Sequence, residues 1–245
     1  MMDWIMAVLA IGITIFIHEL GHLIAGKRKG IPISTFSLGF GPRLVGFRRA
    51  DTDYRLSLIP LGGFVIPKMK DMEDFHSIPV SSRVAFSLGG PMMNIVFALV
   101  LLSIFDVITF GLTPMNLMIL PFIQIASFFV SIATAYATIL TDIGSISGIV
   151  GMASEGGTFI SGSFMKFIFF MILINMNLAV FNLLPIPVLD GGKIVMALLE
   201  KISLRTRKAQ VPITIASLVL IIGLMFFTTI MDVIGLLNGD LFTTW

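Results

Sequence analysis

Cysteine is absent from the chain, which excludes disulfides and thiolate sites and leaves any metal to nitrogen and oxygen donors. Charge is nearly as scarce: 12% of the 245 residues carry it, against about 25% in soluble domains. Histidine occurs only three times, so any pairing of histidines is informative. What is abundant is apolar: 56% of residues are hydrophobic, with a mean hydropathy of +1.01. This composition excludes an ordinary soluble domain and gives no basis for a nucleic-acid partner. It implies an α-helical polytopic membrane protein whose main surroundings are the lipid bilayer.

Four stretches reach the length of about 20 residues that a crossing requires, at about 4–25, 84–106, 164–186 and 210–231. The first carries Asp3 where a signal peptide would be basic, and no small-residue cleavage site precedes Lys27. It is therefore expected to be retained. Of the 16 basic residues, ten fall between Lys27 and Arg83 and five between Lys193 and Lys208, with Lys166 alone elsewhere. Basic residues concentrate in cytosolic loops, so both clusters belong on that side and an even number of crossings joins them. Spans 84–106 and 164–186 supply two. The apolar stretch 115–141 is accordingly expected not to span. Its Gln124, Ser127, Ser131, Thr134, Tyr136 and Thr138 suit an amphipathic helix in the outer interface or packed beside the bundle. Four spans place both termini outside.

Between the first two spans, residues 31–68 contain short runs of β-type residues bounded by Gly and Pro, which predicts a small sheet of two to four strands. Phe36, Leu38, Phe40, Leu58, Ile59, Leu61 and Phe64 make it unusually apolar for a cytosolic loop. It is expected to dip into the bilayer where protein covers its backbone groups. Gly144–Gly162 is expected to be an outer loop, and residues 1–245 a single domain.

The chemistry concentrates at His18-Glu19-Leu20-Gly21-His22. Two imidazoles four residues apart lie on one helix face and can grip one ion together. Two histidines and a glutamate inside a span are costly without functional compensation. His76, among Asp71, Glu73 and Asp74, reads as an ordinary solvated histidine. A catalytic zinc site commonly needs a third protein ligand. Among Asp106, Asp142, Asp190 and Asp232, only Asp190 falls at the cytosolic end of a span, at the depth of His18 and His22. Spacing leaves a second reading of Asp190 open, as the N-cap of a helix over 191–202.

Asn182-Leu-Leu-Pro185-Ile-Pro187-Val-Leu-Asp190-Gly-Gly192, with the His-Glu-x-x-His motif in the first span, resembles the signatures of the site-2 protease family of intramembrane zinc metalloproteases. Phe36-Ser-Leu-Gly-Phe-Gly-Pro42, Pro60-Leu-Gly-Gly-Phe64 and Gly90-Pro91-Met-Met-Asn94 add matches in the family's order. The resemblance implies one Zn²⁺ per chain, held by His18, His22 and Asp190, with Glu19 as general base. It places Asn182 near the metal as a candidate oxyanion donor; the plain alternative is an interhelical hydrogen bond. Asn94 is expected to play a structural role beside Gly90 and Pro91. Pro185 and Pro187 should break the third span near the metal and leave irregular backbone for substrate, and an exposed edge in Ser57–Val65 could pair with it.

The resemblance is closest to bacterial members that cut anti-sigma factors. It implies single-span membrane-protein substrates of that kind, a bacterial plasma-membrane location and an active site near the cytosolic face. Those relatives usually carry PDZ domains in the outer loop, whereas about 57 residues separate Asp106 from Phe164 here, too few for one together with the amphipathic helix. A metal carrier or sensor using the same ligands is the main rival, and it has no need of Glu19.

Overall fold

The computed structural model describes residues 2–139, 159–160, 163–203 and 205–238. Helix α1 (Met2–Arg28) leads into a β-hairpin, β1 (Ile33–Arg49) and β2 (Thr52–Pro67). After the short α2 (Met72–Ser77) come the long α3 (Val80–Phe110), a π-helical turn (Met115–Ile119) and α4 (Leu120–Ile139). Helices α5 (Phe164–Asn182), α6 (Asp190–Glu200) and α7 (Arg205–Asn238) complete the described chain. Five helical segments are long and apolar enough to cross a membrane: Ile5–Arg28, Val80–Phe110, Met115–Tyr136, Phe164–Asn182 and Thr206–Met231. The protein is a polytopic helical membrane protein. Asp142 and nearly all of the Gly/Ser-rich stretch expected as an outer loop lie outside the described residues.

The fifth candidate is the segment that charge parity expects not to span. Its helix does pack beside the bundle, but it runs along the depth of α5 and does not lie flat across its end. Gln124 donates to the fully buried Asp106 near the end of α3, Phe128 meets Phe169 early in α5, and Tyr136 meets Phe181 at the far end. Phe159 is again beside Phe169, so the chain enters α5 at the end where α3 finishes. Length and composition thus give one more candidate span than charge parity expects.

Two apolar clusters hold the framework. Ala10, Ala98, Leu101, Leu102, Ile168, Met171, Ile172 and Met176 join α1, α3 and α5. Leu23, Ile31, Ile33 and Phe36 fasten the end of α1 to the hairpin. Along α1 the His-Glu-Leu-Gly-His turn falls between them. There α1 and α3 meet backbone to backbone: a Cβ on Gly21 would lie 2.1 Å from the Gly89 carbonyl oxygen. Small residues permit such an approach between membrane helices.

The β-region is one hairpin of two long, bent strands. β1 is paired on both sides over part of its length, Phe36 lying opposite both Val65 and Tyr54. Residues 63–66 have partners only in β1, which leaves one flank of that segment as an edge. Phe40, Leu44, Val45, Phe47, Leu58 and Ile59 are exposed apolar side chains of the hairpin.

His76 departs from the expected solvated histidine. Its side chain is 10% exposed and its Nδ1 lies 3.2 Å from Glu200 Oε2. Glu200 also accepts from the buried Arg83 at 2.6 Å and from Arg207. The cluster ties α2, α3, α6 and α7 together through a partner 124 residues from His76, which no local pattern signals. Burial pushes the Glu200 carboxyl up, but the hydrogen bonds from Arg83 and Arg207 prevail and hold it at about 2, below its ordinary 4.5. A depressed folded pKa means that the cluster's stabilisation is fully present above about pH 4.5 and is lost as pH falls through about 2. Glu200→Gln should cost about 3–5 kcal/mol at neutral pH, because Arg83 is left buried without its counter-ion. Thermal unfolding in detergent should show this deficit shrinking as pH falls toward 2. A deficit constant from pH 7 to 2 would contradict the ionic account.

Candidate metal centre

His18 and His22 project one turn apart from α1, and Asp190 meets them from the first turn of α6. Asp190 is not the N-cap of that helix. Leu189 holds the cap position and makes no side-chain capping bond, which leaves the Asp190 carboxylate free to face the imidazoles. The chain reaches this arrangement through the turn after α5. That helix ends at Asn182, four residues short of the expected span, so Pro185 and Pro187 lie in the connection and not inside a helix. A Cβ on Gly191 or Gly192 would come within 2.2 Å of the carbonyl oxygens of Leu183 and Ile186. The two glycines therefore let α6 start directly against this turn and return Asp190 to α1.

Asp190 Oδ2 is 3.2 Å from His18 Nε2 and 3.1 Å from His22 Nε2, and the two Nε2 atoms are 3.2 Å apart. All three side chains are buried. Zinc bonds of about 2.0–2.1 Å arranged tetrahedrally would separate the donors by about 3.3 Å, close to the triangle found.

Hydrogen bonding behind the ligands also favours a cation. His22 Nδ1 lies 2.8 Å from the Phe86 carbonyl oxygen. A carbonyl can only accept, so that nitrogen carries the proton, and a neutral ring then presents Nε2 as a lone pair. This lone pair faces the Asp190 oxygen, another acceptor. Two acceptors in close contact need a positive species between them, and the donor set suits zinc. Burial works against an ionised Asp190, and the nearby Lys193 ammonium favours it. Lys193 Nζ binds the other oxygen, Oδ1, at 3.0 Å.

Glu19, His18, His22 and Asp190 open onto one cavity of about 200 Å³, lined also by Gly63, Phe64 and Val65 of β2, Phe86, Asn182, Val188 and Lys193. Glu19 lies one residue from His18, turned about 100° around the helix, and passes under β2 where a Cβ on Gly63 would come 2.6 Å from its Cγ. Asn182 reaches the cavity, with one amide hydrogen directed to its own helix at Leu178 O, 3.0 Å away. Pro185 and Pro187 are not among the lining residues.

A sequence profile described as Peptidase family M50 matches residues 6–227. The chain belongs to peptidase family M50. Its relatives carry provisional names as zinc metalloproteases. One from Clostridium acetobutylicum is 34% identical over 105 residues, 41% of this chain and 31% of the relative. One from Bartonella henselae is 39% identical over 109 residues, 38% of this chain and 30% of the relative. Over these matches the M50 chain spans about a third of the relatives' length. A Clostridium perfringens relative aligns at 24% identity across 94% of this chain and 98% of its own. That alignment covers 335 positions against a chain of 245 residues, so the relative carries residues with no counterpart here.

Two elements of the M50 site, Lys193 and the Phe86 carbonyl, escape the motif reading, and the close packing of Gly63 on Glu19 and of Gly90 on the two histidines is not visible in the motifs that contain those glycines. Lys193 had a signal in its spacing of three residues from Asp190 on one helix. The others act through backbone or through the absence of a side chain, and their partners are distant in sequence.

Proposed function

We propose that this M50 member is a zinc-dependent intramembrane endopeptidase that hydrolyses a peptide bond within a membrane-spanning segment of its substrate. The observation that carries this reading is the sharing of one cavity by an acid, three convergent metal donors and a strand edge. In this reading His18, His22 and Asp190 hold the ion and Glu19 is the catalytic base. When bound, zinc supplies Lewis acidity toward the scissile carbonyl and toward a water. Glu19 takes the proton of the attacking water and returns it to the leaving nitrogen. The second amide hydrogen of Asn182 is available to charge developing on the carbonyl oxygen. Pro185 and Pro187 serve by ending α5 and keeping the connection to Asp190 irregular.

A substrate helix hides its carbonyls in internal hydrogen bonds, so cleavage requires local unwinding and replacement partners. The free flank of Gly63–Val65 supplies them by adding the unwound segment as a strand. N–H groups alternate sides along a strand, so one of Phe64 and Val65 directs its N–H to that flank. The purified chain should cleave a model single-span substrate, lose activity to a chelator and regain it with zinc. Proline at one of these two positions should abolish turnover with zinc content intact. Cleavage indifferent to chelator would refute the metallopeptidase reading, and full turnover by both proline variants would refute strand addition.

The substrates fitting this site are single-span membrane proteins of the anti-sigma-factor kind, processed in regulated intramembrane proteolysis. The basic clusters support an orientation in a bacterial plasma membrane with the metal near the cytosolic face and the outer ends of α1 and α7 outside. A cytosolic reporter fused after residue 245 should stay silent, and a signal from it would reverse this orientation.

A further inference from the structure

His18 has a polar neighbour behind it whose role the metal reading leaves undefined. Asn94 is fully buried in α3, four residues after Gly90. Its amide nitrogen, as placed, lies 3.3 Å from His18 Nδ1, on the side of the ring away from Asp190, and the amide oxygen points elsewhere. The other polar atom of that amide is buried and has no hydrogen-bond partner. Burying a polar group in this way costs about 1–3 kcal/mol, so a plain packing role gives a poor account of an asparagine here.

The requirement of His18 explains it. An imidazole that offers Nε2 as a lone pair carries its proton on Nδ1. His22 meets this condition through the Phe86 carbonyl, but His18 has no backbone carbonyl at Nδ1 among the described contacts. Its neighbour is the Asn94 amide, whose oxygen and nitrogen exchange places by a half-turn of the terminal bond. We propose that Asn94 is a positioning residue for the metal site: it presents its carbonyl oxygen to His18 Nδ1–H and thereby fixes the tautomer and ring angle that aim Nε2 at the ion. α3 would then orient both histidines of α1, one through a main-chain carbonyl and the other through a side-chain one. Gly90, a turn before Asn94, leaves the space in which the two Nε2 atoms converge. The Gly90-Pro91-Met-Met-Asn94 stretch thus acquires a physical meaning at both ends.

The inference rests on the metal reading, and zinc affinity tests it without recourse to proteolysis. The full chain in detergent is titrated with zinc against a chromophoric chelator, as wild type, Asn94→Leu and Asn94→Asp. Leucine fills a similar volume and cannot accept a hydrogen bond, whereas aspartate accepts and cannot donate when ionised. Zinc affinity should fall about 10–100-fold in Asn94→Leu, the size usual for losing the hydrogen-bond partner of a metal-bound histidine. It should stay at or above the wild-type level in Asn94→Asp. A role in packing alone, or as a donor to Nδ1, would not give this rescue. Wild-type affinity in Asn94→Leu, or an equal loss in both variants, would overturn the proposal while leaving the metal site standing. Failure of the wild type to take up zinc would overturn both.

Discussion

Glu19→Gln should retain zinc at the wild-type level and cut a single-span substrate roughly 10²–10⁴-fold more slowly, the range by which a positioned acid-base group accelerates such steps. Glutamine occupies nearly the same volume beneath Gly63, so the cavity and the β2 strand above it are preserved. None of the three convergent donors comes from residue 19, so the ion keeps its ligands. What changes is the ability to take a proton from water and return it to the leaving nitrogen. A carrier or sensor built on the same three ligands makes the opposite forecast, because neither transport nor binding needs a base beside the ion. Zinc content by elemental analysis, with cleavage measured on the same preparation, separates the readings. Equal cleavage by both proteins would defeat the assignment of Glu19.

Gly90→Ala should lower zinc affinity by on the order of 100-fold or more, beyond the 10–100-fold expected of changes to groups that only orient ligands. The added Cβ would stand 2.5 Å from His22 Nε2 and 2.7 Å from His18 Nε2, in the space where the donors converge. Relief would require α1 to withdraw from α3, yet at the adjacent residues, Gly21 and Gly89, those helices already touch through backbone. Any withdrawal that clears the methyl also separates His22 Nδ1 from the Phe86 carbonyl. Gly12→Ala is the matched control on α1, since a Cβ there meets nothing within 4 Å. Competitive zinc titration of the two variants should show a loss in the first and none in the second. Wild-type binding by Gly90→Ala would mean that the packing at the centre is looser than these distances require.

The parts of the site that could be read from sequence are those whose geometry is local. His18 and His22 share a helix face because they are four residues apart, and that relation survives any tertiary arrangement. Asp190 could be placed near them by depth, since the basic clusters fix which ends of the spans are level. Its competing role as an N-cap yields to tertiary structure, with Leu189 in the cap position. The long apolar helices announced themselves by composition. The orientation of α4 did not, because its six polar residues suit an interface as well as contacts to Asp106 and α5. Helix α5 stops at Asn182 where hydropathy alone carried it to 186. His76 resembled a surface residue because its neighbours in sequence are acidic, whereas its partners in space are Arg83 and Glu200. Asn94 was visible as part of a motif, but its contact with His18 spans 76 positions, and only the folded chain brings the two together.

The ligand triangle also bears on how the chain is fastened. His18 and Asp190 stand 172 positions apart, in a sequence with no cysteine to bridge any two of its segments. An ion held by these three donors would do what a covalent crosslink does elsewhere, closing most of the polypeptide into a single ring. The entropy of closing so long a ring grows only with the logarithm of its length, and a ligand that binds the folded form alone deepens stability in proportion to the logarithm of its concentration. On the proposed reading the same atoms that equip the cavity for chemistry would also act as a clasp, tightened as the concentration of free metal rises.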